Sequence, residues 1–483
     1  MQPSPRRALG VMLAGVVAAA TLGGVLVARV VTQGPLLAAA GWFHLDALGA
    51  YNLAVMLLVN SLSSLYAWVY FSEEIASRKL ALGRARMFAG LWCAALTAMI
   101  LVFLSNSLGI MWVGIEATTL LTAFLICVHV SRPALEAMWK YILICAVGVA
   151  FAFMGTLLIA AAGHGLAPGT ARLLLWTELH RYAGSLDPMF AKAAFIFLLV
   201  GYGTKAGLAP MHNWLPDAHS QAPAPVSAMF SGSMLSTALY CIMRYVPIVE
   251  AATGRVGWSL ELLVVIGLLS IVIAAAFILS QHDLKRLLAY SSVEHLGIIA
   301  LGFGLGGLGA PAALFHTLNH GLCKTLAFCA AGRLGQAAGT HDLGRLSGVM
   351  RQAPLWGAGL FAALLALIGL APFALFMSEL QILKAALDGR WTGAAVLFLV
   401  ASAVVFAGIL RHLIPLAWGA APAPCRALRT GWLEAGLVAV PLSLLLVLGL
   451  WMPAPLGHML AAAAAVVGDA GSPVAAASAG LSP

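Results

Sequence analysis

A chain of 483 residues that is 62% hydrophobic and 9% charged, with a mean hydropathy of +0.98, has the composition of a polytopic membrane protein. A disordered chain, a coiled coil, a secreted disulfide scaffold and a nucleic-acid binder are excluded: the 26 Lys and Arg behind the net charge of +9 are spread through apolar sequence and form no continuous basic face. The seven cysteines lie mostly inside apolar runs without paired or His-clustered spacing, so no iron–sulfur cluster, haem or other cofactor is expected on this chain.

Apolar runs of about 20 residues predict spanning helices. They fall at 8–31, 47–70, 87–104, 108–130, 137–162, 189–208, 223–245, 258–280, 284–303, 311–332, 354–385, 393–418 and 431–453, which makes thirteen. Leu456 to Val467 is short for a fourteenth, and the Ala/Gly/Ser/Pro-rich end after Gly468 reads as a loose tail. The first run has a basic start and is long enough for an uncleaved anchor rather than a signal peptide. An N-terminus in the cytoplasm puts sixteen basic residues on that side: Arg6, Arg7, Arg78, Lys79, Arg84, Arg86, Arg132, Lys140, Lys285, Arg286, Arg333, Arg345, Arg351, Arg411, Arg426 and Arg429. The opposite loops then hold Arg172, Arg181, Arg244, Arg255 and Arg390, with Arg29 at a helix end. The positive-inside bias therefore favours that orientation.

An ionisable group at bilayer depth costs at least ~2.5–3.5 kcal/mol and needs a partner, a cavity or a helix end. Lys192 and Lys384 lie near predicted helix ends, where they can snorkel. Glu116 in "MWVGIEATTLL" and Lys205 in "LLVGYGTKAGLAP" have no such escape. Glu294 and His295 follow in "AYSSVEHLGII", then His316, His320 and Lys324 in "FHTLNHGLCKTLAF" and Glu379 in "FALFMSELQILKAA". The i, i+4, i+8 spacing of His316, His320 and Lys324 lines one helix face with titratable groups. A metal would want further carboxylates or cysteines beside the His pair, so no metal is expected.

Two helices are predicted to break. Pro210, Pro216, Pro223 and Pro225 interrupt the segment after Lys205, and Pro372 interrupts "LIGLAPFALFMSEL". Non-helical backbone at membrane depth is tolerated beside protein or water, so both breaks predict an internal hydrated cavity. Glu116 and Lys205 are 89 residues apart, Glu294 and Glu379 are 85 apart, and the offset is five predicted spans. An odd offset inverts one copy against the other, giving two inverted five-helix repeats each with a broken helix. The expected organisation is 1–85 N-terminal helices, 86–250 first repeat, 258–418 second repeat, and 419–483 a last helix and tail.

The segments "KAGLAPMHNWLPDAHSQAPAPVSA", "LKRLLAYSSVEHLGIIALG" and "FHTLNHGLCKTLAFCAAG" resemble the signatures of the proton-conducting antiporter-like membrane subunits of NADH:quinone oxidoreductase (complex I), cation/proton antiporters and membrane-bound hydrogenases. The resemblance covers roughly residues 86–415. "IEATTL" and "SSVEHLG" are more similar to the hydrogenase-4 component F type than to complex I subunits, which tend to have Trp before the first Glu and Ser where Glu294 stands.

That resemblance implies a proton relay through Glu116, Lys205, His316, His320, Lys324 and Glu379, with Glu294, His295, Ser236 and His212 in secondary places. Family members usually carry one more helix before Glu116 and a Lys where Ser236 stands, so the lysine chain is expected to be incomplete here. Within a relay, Glu116 close to Lys205 stabilises the ammonium, and separation lets its proton pass inward toward the histidines. The resemblance further implies an inner-membrane, multi-pass subunit driven by peripheral iron–sulfur and hydrogenase-like or quinone-reducing partners beside other membrane subunits. The alternatives are a complex I or sodium/proton antiporter subunit, a proton-coupled partner of inorganic-carbon uptake, and a scaffold that conducts nothing.

Overall fold

Polar or Pro-led starts launch several of the long helices, as favourable first-turn chemistry. In the computed structural model, which describes residues 4–166, 174–254, 257–420, 428 and 430–468, Ser4 precedes Pro5 at the head of α1 (Pro5–Gln33). A hairpin of β1 (Leu36–Ala38) and β2 (Phe43–Leu45) leads to α2 (Ala47–Ala76). Asp46 caps α2 by accepting the Gly49 amide at 2.9 Å. After α3 (Leu82–Leu104) and α4 (Leu108–Ile126), Ser131 caps α5 (Arg132–Ala162). The short α6 (Trp176–Arg181) precedes α7 (Pro188–Ala206), whose cap Asp187 accepts two backbone amides.

The first break separates α7 from α8 (Trp214–Gln221). Next, α9 (Ala224–Met229) and α10 (Leu235–Ala252) are joined by a π-helical turn at Phe230–Met234. The second half runs through α11 (Trp258–Ile278), α12 (Leu284–Leu305) and α13 (Gly309–Ala338), then the small α14 (Val349–Gln352). The second break lies between α15 (Pro354–Leu367) and α16 (Ala374–Asp388). α17 (Thr392–Trp418), α18 (Trp432–Leu450) and α19 (Ala454–Gly468) complete the described chain.

The fold is an all-α polytopic membrane protein. Among the described residues, eleven helices are long and apolar enough to cross a membrane. α13 and the broken α15–α16 occupy the two other predicted stretches: α13 has the length, but its histidines, asparagine and lysine dilute its apolarity. The stretch from Leu456 to Val467, read as doubtful, is helical within α19. The tail after Gly468 lies outside the described residues, as do Arg172, Arg255, Cys425, Arg426 and Arg429.

Burial separates an inner from an outer set of helices. The α9–α10 stretch and α12 are buried along their whole apolar windows, whereas α1, α5, α17 and α18 turn residues such as Val11, Phe151, Val400 and Leu450 outward. An outward surface of that kind suits acyl chains, and the charged inner helices suit a protein interior.

Both breaks carry the sequence Gly-Leu-Ala-Pro, at 207–210 and 369–372. Each glycine takes a positive φ, +78° at Gly207 and +66° at Gly369, which ends the preceding half-helix without a Cβ clash. Lys205 sits before its break and Glu379 after its own, so superposing the two motifs sets Asp217, not Lys205, opposite Glu379.

Glycine also sets the closest helix contacts. A Cβ on Gly201 of α7 would stand 2.4 Å from the Ala152 nitrogen of α5, and one on Gly297 of α12 would stand 2.7 Å from the Gly267 carbonyl oxygen of α11. These are small-residue seams of the membrane type. Gly297→Val therefore forces two backbones apart and is expected to cost about 1–3 kcal/mol, read as a lower melting temperature of the detergent-solubilised protein. An unchanged melting temperature would contradict this contact.

Three of the basic residues counted to one side or the other are buried parts of helices. Arg244 is within α10, 4% exposed, and pairs with Asp46 at 2.5 Å. Arg333, within α13, pairs with Glu434 at 2.6 Å. Lys285, in the first turn of α12, is 2% exposed and donates to the carbonyls of Ser220 and Ala222. Each helix runs beyond its apolar stretch because a buried partner replaces lipid or water.

Candidate functional site

The first polar cluster is built on α4, α5 and α7. Lys205 reaches the end of α7 with no exposed surface, so its ammonium must be satisfied by protein. It donates to Thr119 Oγ1 at 3.0 Å and to Tyr141 Oη at 2.5 Å, and it stands 4.7 Å from the centroid of the Tyr141 ring. Tyr141 is in turn 2.7 Å from Thr122 Oγ1. Glu116, one turn before Thr119 on α4, is half-buried and within electrostatic reach of Lys205. No ion pair between the two is found among the described residues, and Glu116 Oε2 is buried without a hydrogen-bond partner. The expected Glu–Lys pair is thus apart, with the Thr119 hydroxyl beside both groups.

A second cluster joins α12, α13 and α16. His295 Nδ1 and His316 Nε2 are 2.9 Å apart and share a hydrogen, and His316 Nδ1 is 2.9 Å from Ser378 Oγ. The His320 ring lies 5.4 Å from that of His295, and both its nitrogens are buried and unpartnered. Lys324 donates to the Leu288 carbonyl at 2.9 Å and to Ser291 Oγ at 2.8 Å. Glu294 is within electrostatic reach of Lys324 and of Glu379. Ligand atoms of His295, His316 and Glu379 all lie within 4.8 Å of one another, so a possible metal-ligand set exists where the sequence predicts none. The spacing along α13 alone conceals it, because two of the three donors come from other helices.

Between the clusters lies a mixed zone. Phe230, in the π-helical turn, packs 5.9 Å from the Tyr141 ring and 6.0 Å from that of His219. His219 is fully buried, unpartnered at both nitrogens, and within electrostatic reach of Lys285 and Lys324. Ser231 and Ser292 hydroxyls meet at 2.7 Å, tying the π-turn to α12.

The two broken helices and the buried polar clusters have counterparts among known proteins. The model of the family described as "NADH:quinone oxidoreductase/Mrp antiporter, TM" matches residues 105–405. The chain belongs to this family. This antiporter-family chain is 39% identical over 69% of its length to a hydrogenase-4 component F homolog of Methylacidiphilum infernorum, covering 71% of that protein. It is 30% identical over 70% of its length to hydrogenase-4 component B of Escherichia coli, of which the match spans only 49%. Among solved structures, a chain of an archaeal membrane-bound sulfane sulfur reductase superposes with a TM-score of 0.85 at 25% identity, over 95% of this chain and 92% of that one. A chain of the Mrp complex of Dietzia sp. gives 0.81 at 23% identity, over 97% and 93%.

Within this antiporter-family fold the remaining predicted residues separate. Pro210 and Pro372 both stand in the breaks, each after a cis peptide bond. His212 turns toward Phe277 and Tyr290, with ring centroids at 6.3 and 6.0 Å, away from the histidine cluster. Ser236 donates to the Ser233 carbonyl at 2.9 Å, so its hydroxyl is held within its own helix. Sequence reasoning passed over Tyr141, Thr119, Ser378, Ser291 and His219. Thr119, Ser378, His219 and Ser291 stand inside the segments quoted above; Tyr141 enters only because α5 packs on α7.

Glu379 lines a cleft of about 330 Å³ between α16 and α17 with Gly369 and Ser402. A Cβ on Gly369 would stand 2.3 Å from Glu379 Oε2. Gly369→Ala would displace this flexible carboxylate and strain a positive-φ residue by roughly 1 kcal/mol. The expected result is an assembled protein with proton uptake reduced about tenfold; wild-type uptake would show that Glu379 needs no fixed place.

Proposed function

We propose that this chain is the proton-translocating membrane subunit of a hydrogenase-4-type complex. Its relay runs from Glu116 and Lys205 through the buried interior to Lys324, His320, His316 and Glu379, with His219, Glu294 and His295 beside it. The observation that carries this reading is Lys205, an ammonium wholly inside the fold whose two hydrogen-bond partners are hydroxyl groups. A group so placed serves stability poorly and proton exchange well. Glu116 swinging toward Lys205 stabilises the ammonium; in the separated geometry the proton is free to leave through Tyr141 and the hydroxyls around it.

The reading extends to thirteen membrane crossings, two inverted repeats over 86–250 and 258–418 flanked by 1–85 and 419–483, and an N-terminus on the cytoplasmic side of the inner membrane. Removing Lys285 and Arg333 from one side of the charge comparison and Arg244 from the other leaves its sign unchanged. The chain carries no redox centre in this reading, so other membrane subunits and a peripheral iron–sulfur, hydrogenase-like partner supply the driving force. The greater identity to the hydrogenase-4 component F homolog supports that parent complex over a complex I or antiporter assembly.

Purification of the native complex in mild detergent tests the assignment. A co-purifying nickel–iron large subunit is expected. A set of small antiporter subunits, or an NADH-oxidising module, would replace this reading with the alternative.

A further inference from the structure

We propose that His295, His316 and Glu379 form a binding site for a divalent transition-metal ion of the Zn²⁺ type, and that an ion seated there blocks the second polar cluster. This goes beyond the proton relay and uses the same side chains in a different chemistry. Two imidazole nitrogens and a carboxylate oxygen, with a fourth position left open, are a donor set for Zn²⁺ or Co²⁺ rather than for Mg²⁺ or Ca²⁺, which prefer all-oxygen sites.

The geometry is close to that of a formed site. Metal–nitrogen bonds of about 2.0–2.1 Å at a tetrahedral angle set the two nitrogens roughly 3.3–3.4 Å apart. His295 Nδ1 and His316 Nε2 are at 2.9 Å and need to part only slightly. Glu379 closes the set by turning inward, since all three donors already lie within 4.8 Å. Ser378 Oγ, 2.9 Å from His316 Nδ1, supplies the outer contact that orients a ligating imidazole.

The surroundings leave polar capacity unused. His295 Nε2, Glu294 Oε2 and both nitrogens of His320 are buried without a partner. The hydrogen shared by the two rings has to leave the line between them, and His295 can carry it on its free Nε2. His320, whose ring centroid lies 5.4 Å from that of His295, is a candidate for the fourth position. The Lys324 ammonium is within reach of His295 and His320 and opposes a cation; the Glu294 and Glu379 carboxylates offset it. Of the three donors, Glu379 also lines the cleft between α16 and α17. An ion held there takes the lone pairs through which the histidines would exchange hydrogen.

Co²⁺ added as its chloride to the detergent-purified complex tests the site, because four-coordinate cobalt has a distinct visible absorption. One Co²⁺ per chain is expected, displaced by Zn²⁺, with affinity about 10–100-fold weaker in Ser378→Ala and the band lost in His316→Gln and Glu379→Gln. Each variant is scored on the fraction eluting with the assembled complex. No saturable band in the wild type, or a band unchanged in both ligand variants, overturns the proposal. Binding is read without a proton gradient, so its failure leaves the relay untouched, and a non-conducting chain that binds Co²⁺ would sink the relay alone.

Discussion

Lys205→Met is expected to lower proton uptake into vesicles by roughly 100-fold or more, the range lost when a positioned proton carrier is removed, while the melting temperature stays level or rises. The side chain is completely buried, with Thr119 and Tyr141 as its hydrogen-bond partners. Methionine fills nearly the same volume and removes a charge that burial makes costly. The Tyr141 hydroxyl keeps Thr122, so the substitution strands little. Loss of uptake together with loss of the folded protein would instead mean that Lys205 is a structural group.

The largest effect on stability is expected at Asp46–Arg244. Both residues are about 4% exposed, and the guanidinium makes two hydrogen bonds to the carboxylate, at 2.5 and 2.8 Å. Asp46→Ala leaves a buried guanidinium with no counter-ion and also uncaps α2, for an expected cost of about 3–5 kcal/mol. Asp46→Ala combined with Arg244→Met is expected to recover most of that loss, because no charge is then left unpaired. A double variant as unstable as Asp46→Ala alone would contradict this. Burial pushes the Asp46 carboxyl upward, but the Arg244 charge and hydrogen bonds outweigh it and hold the group below its ordinary value. A lowered folded-state value means that the stabilisation is complete above the unfolded value of about 3.9. It is lost as pH falls through the folded value, so unfolding through this pair belongs to strongly acid solution.

Much of this architecture is legible in the chain because lipid imposes a simple rule: about 20 apolar residues per crossing. The rule weakens where helices are shielded from lipid. α13 keeps its length while carrying His316, Asn319, His320 and Lys324, since protein surrounds them all. For the same reason Arg244, Lys285 and Arg333 count to one side or the other although each is a buried part of a helix. The hairpin at Leu36–Leu45 is too short for a crossing and carries no signal under that rule.

The site shows the same division. Glu116, Lys205 and the α13 histidines betray themselves as polar groups in apolar runs, and Pro210 and Pro372 mark the breaks. What a linear reading lacks is which groups meet. Tyr141 reaches Lys205 only through the glycine seam between α5 and α7, and His295 reaches His316 across two helices. Phe230 and Met234 between the two clusters are equally silent in sequence, since an apolar residue in an apolar run carries no signal.

In the proposed relay the two clusters act in series along one route, and proton uptake by the Lys205→Met, Glu379→Gln and combined variants measures this directly. A single route predicts that either substitution alone removes nearly all uptake and that the pair is no worse than either one. Two partial losses that add in the combined variant would contradict it, because each cluster would then be serving a path of its own.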